Sequence, residues 1–199
     1  MEIKIKDNAR WAVVGYGSWA TALAGLLTGN GNRISWYIRN EEVLEGLASE
    51  GRNPKYISEL EFDRSLLSLH SDINDAVSGA DVILLSVPSA YLKSFLEPLE
   101  VPLEDKFTVS AIKGIVPGDY KTAAEYLHDT FGLYYRQIGI IAGPSHAEEV
   151  SRGKLSYLTV VCTDRENASQ IGRQLSSESV HTTCSDDLYG TEYAAILKN

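Results

Sequence analysis

The segment Gly15-Tyr16-Gly17-Ser18-Trp19-Ala20 constrains this chain more than any other. It has the form G-x-G-x-x-A. The apolar run Trp11–Gly15 leads directly into it, and the helix-like stretch Ser18–Gly29 leaves from it. A strand that turns this sharply into a helix belongs to a crossover unit, and such units build parallel sheets. Each small residue has a physical reason. Gly15 permits the tight turn, Gly17 lets a pyrophosphate reach the backbone, and Ala20 stays small where helix and strand pack. The helix N-terminus offers unpaired N–H groups and partial positive charge to an anion.

The rest of the chain repeats the alternation. Apolar runs rich in Val, Ile, Leu and Thr lie at Trp11–Gly15, Arg33–Ile38, Leu66–His70, Asp81–Val87, Lys106–Ile112, Gln137–Ala142, Tyr157–Cys162 and Val180–Thr183. Helical patterns cover Ser18–Gly29, Glu41–Glu50, Ile73–Ser78 (with Asp72 as N-cap), Ser89–Leu99, Asp119–Thr130, Arg165–Ser176 and Asp186–Lys198. Strands alternating with helices predict an α/β fold, a doubly wound, mostly parallel Rossmann-like sheet with helices on both faces. Gly51–Arg64 breaks the rhythm. It is polar, contains Asn53-Pro54 and has no period, so it reads as a functional or a disordered loop.

Composition removes other classes. The net charge of −9 over 199 residues argues against nucleic acid and anionic membranes as partners. Cys162 and Cys184 are too few for a disulfide framework, and the four histidines are scattered, so no metal site is expected. The longest purely aliphatic run is Val82–Leu85, far short of a membrane span. Met1–Arg10 does not read as a signal peptide, and the expected compartment is the cytoplasm.

A second strand ends at Ile38-Arg39-Asn40, about 20 residues beyond the glycine loop, where an acidic residue would hold a ribose 2′-hydroxyl. Arg39 stands there instead, which favours a 2′-phosphate and hence NADP(H), or tolerance of NAD(H) as well. Three more segments fall at predicted carboxyl ends of strands and therefore at the ligand crevice: Ser86-Val87-Pro88-Ser89, Ala111-Ile112-Lys113-Gly114 and Ala142–Glu149. Lys113 brings positive charge to that crevice. His146 has no carboxylate placed to orient it and is read as a residue near a helix start. Trp19 and Tyr91 are expected to pack on helices.

Together these segments resemble the bacterial-type NAD(P)-dependent glycerol-3-phosphate dehydrogenases. The resemblance rests on Gly15-Tyr16-Gly17-Ser18-Trp19-Ala20-Thr21-Ala22-Leu23-Ala24, Asn53-Pro54-Lys55-Tyr56, Val87-Pro88-Ser89, Lys113-Gly114, Gly143-Pro144-Ser145-His146-Ala147-Glu148-Glu149, and Asp187-x-x-Gly190-x-Glu192 leading to Lys198-Asn199. The chain departs from the family at Ala20, where a third glycine is usual, and at Ile57-Ser58, where Leu-Pro is usual.

The resemblance implies roles. Gly15, Gly17, Ser18, Trp19, Arg39, Asn40, Lys113 and Ala147 would bind the cofactor, NADP(H) or NAD(H). Lys113, Gly143, Ser145 and Lys198 would bind the substrate. Lys198 would be the catalytic acid/base, with Lys113 beside it. The implied reaction is reversible reduction of dihydroxyacetone phosphate to sn-glycerol 3-phosphate, a phospholipid precursor. Residues 1–185 would be the cofactor-binding domain. Residues 186–199 would open a helical substrate domain that this chain lacks, which implies poor activity alone. Family members are commonly dimers, so the full-length protein would be a candidate homodimer. The alternatives are a non-catalytic dinucleotide-binding module and another dehydrogenase of the same superfamily, such as a ketopantoate reductase.

Overall fold

A computed structural model describes residues 3–198. Met1, Glu2 and Asn199, the last residue of the expected Lys-Asn pair, lie outside the described residues.

The strands are β1 (Trp11–Val14), β2 (Ile34–Tyr37), β3 (Leu67–His70), β4 (Val82–Leu85), β5 (Phe107–Ser110), β6 (Ile138–Ala142), β7 (Ser156–Cys162) and β8 (Val180–Ser185). The helices are α1 (Ser18–Gly29), α2 (Glu41–Glu50), α3 (Ile73–Ser78), α4 (Leu92–Leu96), α5 (Ala123–Phe131), α6 (Ala147–Ser151), α7 (Arg165–Leu175) and α8 (Leu188–Lys198). The strands form one sheet in the order β3-β2-β1-β4-β5-β6-β7-β8. β1 to β6 are mutually parallel, with Val14 opposite Tyr37 on one side and Leu85 on the other. β7 runs antiparallel to β6, and β8 runs parallel to β7. The expected doubly wound, mostly parallel sheet is the one observed.

Alternation along each strand divides the core in two. Trp11, Val13, Trp36, Leu84 and Val109 face α1, α2, α6 and α7. Ala12, Val14, Ile83, Leu85 and Ile140 face α3, α4, α5 and α8. A strand period of two, buried on both sides, explains why these segments read as continuous apolar runs.

Helix ends follow from local chemistry. Asp72 caps α3 by accepting from the Asn74 N–H, as expected. Asn40 caps α2 through the Val43 N–H, and Gly51 ends that helix in the left-handed region at φ 69°. α5 starts at Ala123 rather than Asp119. The intervening residues form a turn closed by a Val116–Lys121 bridge, with Gly118 and Tyr120 both at positive φ, and Thr122 and Glu125 then make a reciprocal cap. The expected helix Ser89–Leu99 is a single 3-10 turn, Ser89–Tyr91, followed by the short α4.

The switch in strand order falls between β1 and β4, because the chain leaves β1 for β2 on one side and returns to β4 on the other. A crevice opens above the carboxyl ends of the strands at such a point.

Candidate active site

A cleft of about 650 Å³ occupies the switch point. Its floor is the glycine loop. Gly15 sits at φ +118°, and a Cβ there would lie 2.2 Å from the Ser86 carbonyl oxygen, so the loop can pass the end of β4 only as glycine. The Trp36 indole N–H fixes the turn by donating to the Gly15 carbonyl at 2.6 Å. Gly17 differs: a Cβ there would meet nothing within 4 Å. That open space lies beside the start of α1, whose first turn has no side-chain cap and no acidic residue. Such a cradle suits a phosphate, which a carboxylate cap would repel.

Ser18, Trp19, Arg39, Lys113, Ser145, His146 and Ala147 all line the cleft. The three segments placed at strand ends by sequence therefore do converge on it. Arg39 stands at the wall with its guanidinium carbon 3.7 Å from the Phe95 ring centroid and donates to the Ser94 carbonyl at 3.0 Å. Trp19 does more than pack on a helix. Its ring lies 5.0 Å from the Lys113 Nζ, and its buried indole N–H has no hydrogen-bond partner among the described residues. A buried donor without a partner at a cleft wall fits a site built for a polar ligand.

Lys113 is half-buried, and burial lowers its pKa from the ordinary lysine value; the nearby positive charge of Lys198 lowers it further. The two lysines are 85 residues apart in sequence, yet the fold brings their charges within range of each other. α8 is helical through Lys198 and is anchored by the buried Glu192, whose carboxylate accepts from the Ala124 N–H at the start of α5. Burial raises the Glu192 pKa above the usual carboxylate range.

Other expected residues lie differently. The Asn40 side chain is committed to capping α2 and is not among the cleft-lining groups. Gly143 sits at φ +138° with its backbone pressed against Tyr157, also off the cleft wall. Ser145 is buried and donates to the Tyr157 carbonyl at 2.9 Å, which leaves its oxygen lone pairs at the cleft. His146 is exposed and occupies the N-cap position of α6. Tyr91 is 57% exposed on the cleft wall, contrary to the expectation that it packs on a helix; the 3-10 turn after Pro88 points it outward. Sequence reasoning also missed Tyr56 and Phe95, which extend that wall through Tyr16 and Tyr37. Among the described residues no group of three or more His, Cys, Asp and Glu side chains is placed to hold a metal ion.

The fold and cleft define a dinucleotide-binding α/β domain with Lys113 at its switch point. Residues 10–168 match the family model described as NAD-dependent glycerol-3-phosphate dehydrogenase N-terminus. The chain belongs to that family. A curated relative, glycerol-3-phosphate dehydrogenase [NAD(P)+] of Limosilactobacillus reuteri, is 33% identical over 193 residues, covering 94% of this chain and 57% of the relative. The glycerol-3-phosphate dehydrogenase of Coxiella burnetii has the same fold, with a TM-score of 0.84 at 21% identity over 96% of this chain and 57% of its own. That of Plasmodium falciparum gives 0.86 at 20% identity, over 96% of this chain and 56% of its own. The chain thus spans little more than half the length of the relatives it matches.

Proposed function

We propose that this chain is the cofactor-binding part of an enzyme that reversibly reduces dihydroxyacetone phosphate to sn-glycerol 3-phosphate with NADPH or NADH. The observation that carries the reading is the open Gly17 cradle in a cleft whose walls also carry Arg39 and Lys113. The names of the relatives support it, and so does the match to the family model.

In this reading Gly17 and the first turn of α1 receive the pyrophosphate, with Ser18 and Trp19 beside it. Arg39 meets the adenosine ribose and its 2′-phosphate. Gly15, Asn40 and Gly143 serve through the backbone shapes they hold, and Ala147 leaves room for the cofactor. Ser145 and Lys113 hold the substrate. When bound, the nicotinamide cofactor supplies hydride to the substrate carbonyl carbon. Lys198 Nζ gives its proton to the carbonyl oxygen, and Lys113 stabilises the charge that develops there. Lys113 is half-buried, and a charge partly withdrawn from water acts more strongly on an oxyanion.

Residues 1–185 form the cofactor-binding domain in this reading, and residues 186–199 open the helical substrate domain. Among the described residues no helix is long and apolar enough to cross a membrane, and we place the enzyme in the cytoplasm. A homodimer of the full-length protein goes with the family reading.

Titration of this chain with NADPH tests the proposal. Binding should quench tryptophan fluorescence through Trp19, and a Trp19→Phe variant should lose most of that signal. Dihydroxyacetone phosphate reduction should be weak in this chain and strong in a protein of the relatives' length. A chain that leaves NADPH unbound at millimolar concentration would refute the reading.

A further inference from the structure

Asn53 lies in the irregular segment between α2 and β3, far in sequence from the glycine loop, and is fully buried. A fully buried amide in a polar loop needs an explanation, because each unpaired polar atom there is costly. Asn53 leaves none unpaired. Its Nδ2 donates to the Tyr16 carbonyl at 2.9 Å and to Thr21 Oγ1 at 2.9 Å. Its Oδ1 accepts from the N–H groups of Lys55 at 3.1 Å and Tyr56 at 3.2 Å. Thr21 Oγ1 in turn donates to the Gly17 carbonyl at 3.0 Å.

Both central carbonyls of the glycine loop are therefore held from beneath, Tyr16 by Asn53 and Gly17 by Thr21, whose backbone N–H (2.9 Å) and hydroxyl both donate to it. A trans peptide is planar, with C=O and N–H pointing in opposite directions. Fixing the Tyr16 carbonyl toward Asn53 turns the Gly17 N–H away from it. Fixing the Gly17 carbonyl toward Thr21 turns the Ser18 N–H away likewise. Those N–H groups thus face the open side of the loop, where Gly17 leaves space for an anion. The same amide fixes the start of the turn that brings Tyr56 to the cleft wall.

We infer that Asn53 is a positioning residue: with Thr21 it holds the Tyr16 and Gly17 carbonyls so that the loop N–H groups are aimed at a pyrophosphate. The inference rests on the reading of the cleft as a dinucleotide site. Asn53 touches no ligand in this arrangement. Because the pyrophosphate is common to both cofactors, its loss should weaken NADH and NADPH alike, unlike a change at Arg39.

The test is a pair of variants of this chain, Asn53→Ala and Thr21→Val, with their double variant. Dissociation constants for NADPH and NADH are measured alongside thermal melting. We expect each single change to weaken both cofactors about tenfold, the scale of one lost hydrogen bond. The double variant should lose less than the product of the single losses, because the two residues act in one network. A purely structural role would lower the melting temperature and leave the affinity of the folded protein within twofold of wild type; that outcome overturns the inference. If Asn53→Ala does not fold, the near-isosteric Thr21→Val decides alone by the same criterion. Wild-type chain that binds neither cofactor overturns the functional reading and this inference with it, whereas wild-type binding that survives both substitutions overturns the inference only.

Discussion

The guanidinium of Arg39 is stacked on the ring of Phe95, 3.7 Å from its centroid, and tethered to the Ser94 carbonyl. A planar cation held over an aromatic face keeps one orientation and spends little rotamer freedom when it meets a phosphate. Arg39→Asp should therefore weaken NADPH by about tenfold or more, the scale of a lost charge-assisted hydrogen bond, and leave NADH close to wild type. Phe95→Leu should give a smaller change of the same kind, since the arginine remains but loses its platform. Equal losses for both cofactors, measured by fluorescence titration, would remove Arg39 from the 2′-phosphate site.

The two glycines of the loop should fail in different ways. Gly15→Ala forces a side chain into the Ser86 carbonyl at a backbone angle that L-residues rarely adopt. Strain of that kind costs of order 1–3 kcal/mol, so the melting temperature should fall. Gly17→Ala meets empty space at an ordinary φ of −72°. Its stability should match wild type while cofactor affinity drops, because the new methyl occupies the cradle. Calorimetry and NADPH titration on the pair separate the two effects.

Glu192 makes a stability prediction. Its pKa is raised chiefly by burial, so its stabilising contribution is fully present below the ordinary carboxylate range and is lost as pH rises through the higher folded-state value. Glu192→Gln removes the buried charge but keeps an acceptor for the Ala124 N–H. It should be as stable as wild type near pH 4 and more stable near pH 8. Glu192→Ala leaves that N–H unpaired and should lose about 1–3 kcal/mol. Denaturant melts at the two pH values check both signs.

Lys198→Ala, made in a protein of the relatives' length, should cut turnover about a hundredfold or more, as loss of a general acid does, with NADPH affinity nearly intact. Lys113→Met should impair turnover too, and it should also raise the melting temperature near neutral pH. The wild-type lysine has a lowered folded-state pKa, so its charged form opposes folding until pH climbs past that value toward the unfolded one. The gap between wild type and variant should close as the buffer is made alkaline. Near-normal turnover in Lys198→Ala would rule out its role as acid.

Much of the architecture was legible because burial on both faces of a parallel sheet leaves a plain trace. Runs such as Val82–Leu85 and Ile138–Ala142 can hardly be anything but interior strands. The G-x-G-x-x-A loop placed the crevice, and strand-end logic brought Lys113 and Ser145 to it. Other features leave no such trace. The reversal of β7 depends on α6 being a single short turn that does not recross the sheet, a matter of chain path rather than pattern. Tyr91 and Phe95 sit four residues apart around a helical bend, and the apolar count is the same whether they face the core or the cleft. Asn40 shows the opposite ambiguity: a residue suited to touching a ribose is equally suited to capping the next helix, and here it caps.

The turnaround at β7 has a consequence for where the last lysine stands. β8 runs with β7, so it ends level with the amino ends of the six parallel strands. α8 then begins there, with Tyr189 against Tyr135 just ahead of β6, and climbs alongside that strand. Its 11 residues rise about 16 Å, enough to lift Lys198 from the floor of the sheet to the rim of the crevice. Had β7 continued in the parallel sense, the same helix would descend, and its last lysine would finish on the far side of the molecule from Lys113. One antiparallel strand thus acts as a change of lane, returning the chain toward the carboxyl end of the sheet at Lys198.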